Sequence, residues 1–317
     1  MSNWMLFVVT VAVWGSTWLA IEYQLGEVAP AVSIVYRYLV ASALLFAWCV
    51  ARGMPIDFDR RAHGYFVLLG LLLFSLNYVL TYQAQQLITS ALAAVAFSMM
   101  LWMNIVNARI FFGVKAGKAV IGGSMLGIAG IVVLFLPEMG KLSADNSTLV
   151  GTGLAILGAF IASLGNMVSQ SAQKHGLPVL QSNAWGMFYG ALLSGVVALA
   201  SGQSFTFDSS PSYVLSLGYL AVFGSIVGFG TYLTLLGRVG AAKAGYAMVV
   251  FPVVAIALSL AVGETEPGWN LLAGGVLVLA GNVFVLRSRQ APPDAPSERS
   301  ANAQVAMALP KPGRAAG

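Results

Sequence analysis

The sequence predicts an all-α integral membrane protein of ten transmembrane helices, built as two inverted five-helix repeats, and three observations carry that prediction. The 317 residues are 58% apolar and 9% charged, with a mean hydropathy of +0.83. A soluble domain carries about 25% charged residues, so there is too little polar surface here to solvate a globule. Ten apolar runs follow one another, each long enough to cross a hydrocarbon core of about 30 Å. Finally, Ile121 to Phe135 and Leu272 to Leu286 match at Gly123/Gly274, Leu126/Leu277, Ala129/Ala280, Gly130/Gly281 and Val132/Val283, always 151 residues apart. Each stretch closes a half with five runs, and an odd number of spans makes two copies enter the membrane from opposite sides.

In chain order the runs fall near 3–22, 30–51, 64–83, 88–112, 118–136, 149–171, 180–200, 212–236, 241–262 and 268–287. They are too long for strands and lack the two-residue alternation of a membrane barrel, which leaves helices. The first run has no basic residue before it and continues through Trp14-Gly15-Ser16-Thr17-Trp18 without a small-residue cleavage site, so it reads as an uncleaved helix. The organisation expected is a first repeat over 1–137, an outer connecting loop over 138–148 and a second repeat over 149–289. A disordered cytoplasmic tail, rich in Ala, Pro and charge, follows over 290–317. A single cysteine, Cys49, excludes an internal disulfide, and no Cys/His cluster or other metal motif is present. No metal and no cofactor is expected.

Charge orients the chain. With the N-terminus in the cytoplasm, Arg52, Arg60, Arg61, Arg109, Lys115, Lys118, Lys174, Arg238, Lys243 and the basic residues from Arg287 onward all fall inside. Lys141 is the one basic residue left outside, with Glu22, Glu27, Glu138, Asp145, Asp208, Glu264 and Glu266. Both termini are therefore expected in the cytoplasm of a bacterial inner membrane. The net charge of +5 follows from this topology and anionic inner-leaflet lipid, with no nucleic-acid partner implied.

Polar residues inside the spans mark the candidate site. Asn77 with Thr81, and Tyr78 with Tyr82, lie four apart and share helix faces; Ser98, Met99 and Trp102 follow on the fourth run. Trp14 and Thr17 stand on the first run, Asn166 and Gln170 on the sixth, Tyr232 on the eighth, and Tyr246 on the ninth. Buried amides and hydroxyls leave hydrogen bonds unmade unless they meet partners or a wet cavity, so this set is read as the lining of a substrate cavity, with interhelical polar contacts as the competing reading. Arg37 is the most costly residue in the spans. Glu22, across the adjacent hairpin, is its nearest partner; snorkelling between Tyr36 and Tyr38, or a substrate carboxylate, are the alternatives. Lys243 and Pro252 on the ninth run complete the structural or gating candidates, Pro252 because it removes a mid-helix hydrogen bond. Gly123/Gly127, Gly186/Gly190 and Gly224/Gly228 are GxxxG pairs for close helix packing.

The order of Trp14-Gly15-Ser16-Thr17-Trp18, Tyr36-Arg37-Tyr38, Gly240 to Gly245, Phe251-Pro252, Gly263-Glu264 and the two glycine-rich closing helices resembles the drug/metabolite transporter superfamily. The likeness is to its EamA group, over about residues 4 to 287, and within it to the YddG type of aromatic amino-acid exporter. The resemblance implies a central cavity between the halves and alternating access, moving small metabolites outward; it departs from the pattern where Gly113 stands opposite Glu264. The function expected is a non-enzymatic exporter of aromatic or other apolar amino acids or related amphipathic compounds. A multidrug-type efflux carrier is the alternative; a channel or membrane-embedded enzyme ranks below, since no HExxH, GxSxG or paired-carboxylate arrangement occurs. No carboxylate or histidine lies deep in a span, which favours a facilitator or exchanger. The partners expected are a small-molecule substrate and the lipid bilayer; the sequence leaves the oligomeric state open and is compatible with a monomer.

Overall fold

The computed structural model describes residues 1–113, 122–123, 125–127, 129–130, 133, 146–264 and 266–287. The expected outer loop, apart from 146–148, and the expected tail lie outside the described residues, as do the side chains of Lys243 and Tyr246. Among the described residues the chain is helical with no strand.

Among the described residues, seven helices are long and apolar enough to cross a membrane: α1 (Asn3–Glu22), α2 (Pro30–Ala51), α3 (Arg60–Gln85), α4 (Ser90–Phe112), α5 (Ser147–Lys174), α6 (Val179–Ala200) and α7 (Pro211–Val239). After the short helix Ala241–Ala244 come α8 (Tyr246–Ala261) and α9 (Trp269–Arg287). Gly122, Gly123, Gly127 and Gly130 are helical as well.

Local chemistry sets the ends. Ser2, Asp59, Thr89 and Ser210 cap α1, α3, α4 and α7, each side-chain oxygen accepting from a backbone N–H three residues on. Pro30 and Pro211 open α2 and α7, where a fixed φ suits the first turn and a missing N–H costs nothing. Gly240, at φ +81°, separates α7 from the short helix that follows; a side chain would be strained there. The ninth predicted run is thus two helices, Ala241–Ala244 and α8, rather than one.

Two features went unforeseen. α3 and α7 each pass through a π-helical segment, Leu72–Leu76 and Leu220–Val227. Advancing the first by 151 residues lands it inside the second. In α4 the α-helical pattern lapses at Ser98 and Met99.

The helices pack across the two halves of the chain: α1 on α7 and α8, α2 on α6, α3 on α5 and α6, and α4 on α5 and α8. Glycines make the closest approaches. A Cβ on Gly70 would sit 2.8 Å from Gly190 N, and one on Gly190 would sit 2.5 Å from Phe74 Cβ, so α3 and α6 meet backbone to backbone. A Cβ on Gly130 would lie 2.8 Å from Gly274 O, and one on Gly281 would lie 2.7 Å from Gly123 O. Since 123 matches 274 and 130 matches 281, these two contacts are one contact read in both directions. Large apolar side chains such as Ile110, Phe111, Leu199, Leu215 and Phe223 cover the outside, as lipid-facing surface requires.

Candidate functional site: a central aromatic cavity

Where α1, α3, α4, α5, α7 and α8 converge they line a small cavity of about 50 Å³. Its lining is Trp14, Thr17, Trp18, Ile21, Leu73, Asn77, Tyr78, Thr81, Phe97, Met100, Ala162, Asn166, Phe229, Tyr232 and Phe251. Both halves contribute.

Aromatic rings form the walls. Trp18 stacks on Phe251 with centroids 5.8 Å apart and planes 6° apart, and Phe97 meets Trp18 edge-on at 5.3 Å. Trp14 lies 4.8 Å from Tyr232 and 5.0 Å from Phe229, whose ring also stands 6.2 Å from Tyr78. Trp14 is fixed by its indole N–H, which donates to Gly224 O at 3.2 Å, and by the absence of side chains on α7: a Cβ on Gly228 would collide with the indole nitrogen. The glycine pair Gly224/Gly228 therefore shapes the cavity wall.

Amides and hydroxyls form a polar tier. Asn166 Nδ2 donates to Tyr232 Oη at 3.2 Å and to Asn104 Oδ1 at 3.1 Å, and Asn104 Nδ2 reaches the same phenol at 3.5 Å. This joins α4, α5 and α7 beside the cavity. Thr81 Oγ1 donates to Asn77 O at 2.9 Å, and Asn77 Nδ2 to Leu73 O at 3.2 Å, so the α3 groups bond within their own helix. At the end of the bundle where α1, α3 and α8 finish, Gln85 donates to Trp18 O at 3.0 Å, and Glu264 accepts from the Ser90 N–H, the Ser90 hydroxyl and the Ser259 hydroxyl. A carboxylate from the second half thus caps the start of α4 in the first.

Of the residues singled out in the sequence, Trp14, Thr17, Asn77, Tyr78, Asn166 and Tyr232 meet around the cavity. Tyr82 is fully buried, one turn beyond Tyr78 with ring centroids 6.4 Å apart. Tyr82, Ser98, Met99, Trp102 and Gln170 all lie off the lining. Ser98 returns its hydroxyl to Val95 O at 2.6 Å, Met99 gives its place to Met100, and Trp102 sets its indole nitrogen 3.3 Å from where a Cβ on Gly127 would stand. Gln170 faces Gly240, with its Oε1 buried and unbonded. Pro252 sits inside α8, next to the lining residue Phe251. Glu22 ends α1 with Oε2 buried and without a partner.

Arg37 does not pair with Glu22. Its Nε donates to Ser225 Oγ at 2.9 Å, its Nη2 reaches Tyr78 Oη at 3.4 Å, and its guanidinium carbon lies 4.6 Å from the Tyr78 ring centroid. The partner comes from the π segment of α7: Ser225 returns its own hydroxyl proton to Leu220 O, five residues back, at 2.9 Å.

The sequence reading passed over Trp18, Ile21, Leu73, Phe97 and Phe229. A signal for one of them was present, because Phe229 stands 151 residues beyond Tyr78 as Tyr232 does beyond Thr81 and Phe251 beyond Met100.

The chain matches the EamA-like transporter family over residues 2–136 and again over 149–287. It is 31% identical over 271 residues to the uncharacterized inner membrane transporter YedA of Escherichia coli (strain K12), covering 84% of this chain and 85% of the relative. It is also 25% identical to a protein of the same organism named a probable amino-acid metabolite efflux pump, over 90% of this chain and 96% of the other. A solved crystal structure superposes with a TM-score of 0.68 over 90% of this chain and 96% of its own, at 18% identity, which is a likeness of fold. A membrane bundle enclosing a cavity between two halves, each matched by one family, is a transporter's architecture: the chain belongs to the EamA-like transporter family of the drug/metabolite transporter superfamily.

Proposed function

We propose that this protein is an alternating-access carrier of the bacterial inner membrane that exports aromatic or other apolar amino acids, or related amphipathic metabolites, through the central cavity. The observation that carries the reading is the cavity itself: aromatic walls fit the apolar part of such a solute, and the Asn166, Asn104 and Tyr232 tier offers hydrogen bonds to its polar part. The name of the E. coli efflux pump supports the substrate class. The reciprocal contacts of Gly130 with Gly274 and of Gly281 with Gly123, and the paired π segments, support two inverted five-helix repeats, the arrangement that lets one half rock against the other. The charge distribution supports a topology with both termini in the cytoplasm.

Counterflow in liposomes tests the reading. Vesicles holding the protein and unlabelled phenylalanine accumulate labelled phenylalanine saturably, and Trp14→Ala or Phe251→Ala raises the half-saturating concentration without preventing insertion. Unsaturable flux, or no exchange across a broad amino-acid panel, would sink the amino-acid carrier. The many aromatic side chains in the lining favour a multidrug-type carrier as the second reading; competition by bulky hydrophobic cations in the same assay decides for it.

A further inference from the structure

Arg37 is a buried cation whose partners are all neutral. It is 1% exposed, its hydrogen bonds go to Ser225 and Tyr78, and Nη1 is buried with no partner. A guanidinium inside a membrane bundle is costly unless an anion or a full set of acceptors meets it. The surroundings make the omission more marked. Tyr38 and Tyr82 are fully buried with unpartnered hydroxyls, and Tyr78 lies between them, its ring 5.4 Å from Tyr38 and 6.4 Å from Tyr82. A cation and three phenols are donors gathered at one place without a negative charge among them.

That place adjoins the cavity. Tyr78 and Thr17 line it, and a Cβ on Gly224 would touch Arg37 Nη2 and Thr17 Cγ2 at 3.0 Å each, so the guanidinium stands directly behind the Thr17 and Tyr78 wall. Its weakest bond, Nη2 to Tyr78 Oη at 3.4 Å, is the one facing the cavity side. Ser225 holds Nε on the far side and is itself tied to the π segment, so the head group is positioned while one edge stays available. A π segment at such a point is a common way to present a functional group.

We infer that Arg37, with the hydroxyls of Tyr78 and Tyr82, is the carboxylate subsite of the transported solute, making the substrate an aromatic or apolar monocarboxylate. The inference rests on the carrier reading above and adds the group that is recognised. A single guanidinium flanked by hydroxyl donors matches a carboxylate in charge and geometry. Among the described residues Arg37 is the one buried charged side chain, so one negative charge is accommodated rather than two.

The test uses the full-length protein in detergent and compares 3-phenylpropionate with 3-phenylpropanamide, which differ only in the charged group. The acid raises the thermal unfolding temperature in a saturable way, and the amide binds roughly tenfold or more weakly. Arg37→Gln removes the preference for the acid while leaving the response to the amide within about twofold, and Arg37→Lys keeps part of it. Tyr82→Phe weakens binding of the acid alone, and carries the test if Arg37→Gln does not fold. Equal binding of acid and amide by the unaltered protein, no binding of the acid at millimolar concentration, or Arg37→Gln binding the acid as before would overturn the subsite. Acid-selective binding by a protein that moves no solute in vesicles would overturn the carrier reading and leave the subsite standing.

Discussion

Residues 1–113 and 146–287 supply the cavity with matched positions and unmatched chemistry. Tyr78, Thr81 and Met100 from the first half line it together with Phe229, Tyr232 and Phe251 from the second, each pair 151 residues apart. Yet Thr81 bonds back to its own helix, whereas Tyr232 joins three helices through Asn104 and Asn166. Arg37 in the first half has no basic equivalent on α6, and Glu264 in the second stands opposite Gly113. The duplicated part of the sequence is what packs, chiefly glycine and small apolar residues. What differs between the halves is what bonds, charges or closes.

The strongest challenge to that comparison is at the glycine contact. Gly130→Leu and Gly281→Leu each drive a side chain into a facing backbone and should abolish the folded protein, seen as loss of the monodisperse peak in size exclusion. The milder Gly130→Ala and Gly281→Ala cost about 1–3 kcal/mol each; a large loss of thermal stability in one and none in the other would break the equivalence of the two copies. Next comes the polar tier. Tyr232→Phe leaves two asparagine amides without their shared acceptor and costs about 1–2 kcal/mol by denaturant titration in detergent. Glu264→Gln weakens the cap on α4 by about 1 kcal/mol, and faster hydrogen exchange at Ser90 and the amides after it reports the change. The smallest effect is expected at the matched position in the first half, Thr81→Val, at about 0.6 kcal/mol or less, since only a bond within the helix is lost. If Thr81→Val proved as damaging as Tyr232→Phe, the asymmetry of the tier would be wrong.

Span positions were legible in the sequence because bilayer thickness fixes the length of an apolar run. The predicted run near 30–51 is helix Pro30–Ala51, and the run near 88–112 is helix Ser90–Phe112. The facing of each helix was harder to read. In water a helix shows its buried side by contrast with a polar side; in lipid both sides are apolar, and that contrast disappears. Trp102 shows the consequence: an aromatic residue beside polar neighbours looked like cavity lining, but it fills the groove left by Gly127. The π segments were equally hidden, since no proline or charge marks them, and each turns the rest of its helix to a new face. Arg37 was visible as an anomaly. Its partners were not, because Ser225 lies 188 residues away and owes its position to one of those segments.

The distribution of tryptophans has an optical consequence. Trp14 and Trp18 border the cavity, while Trp4, Trp48 and Trp269 are 71%, 52% and 77% exposed on the outer surface. Brominated acyl chains in the surrounding bilayer quench the emission of the outer three by contact and leave the inner pair shining over a background from Trp102 and Trp185. The residual signal is then a built-in gauge of cavity occupancy that needs no attached dye, and a solute entering between Trp18 and Phe251 reads out as a change in the colour and intensity of the protein's own light.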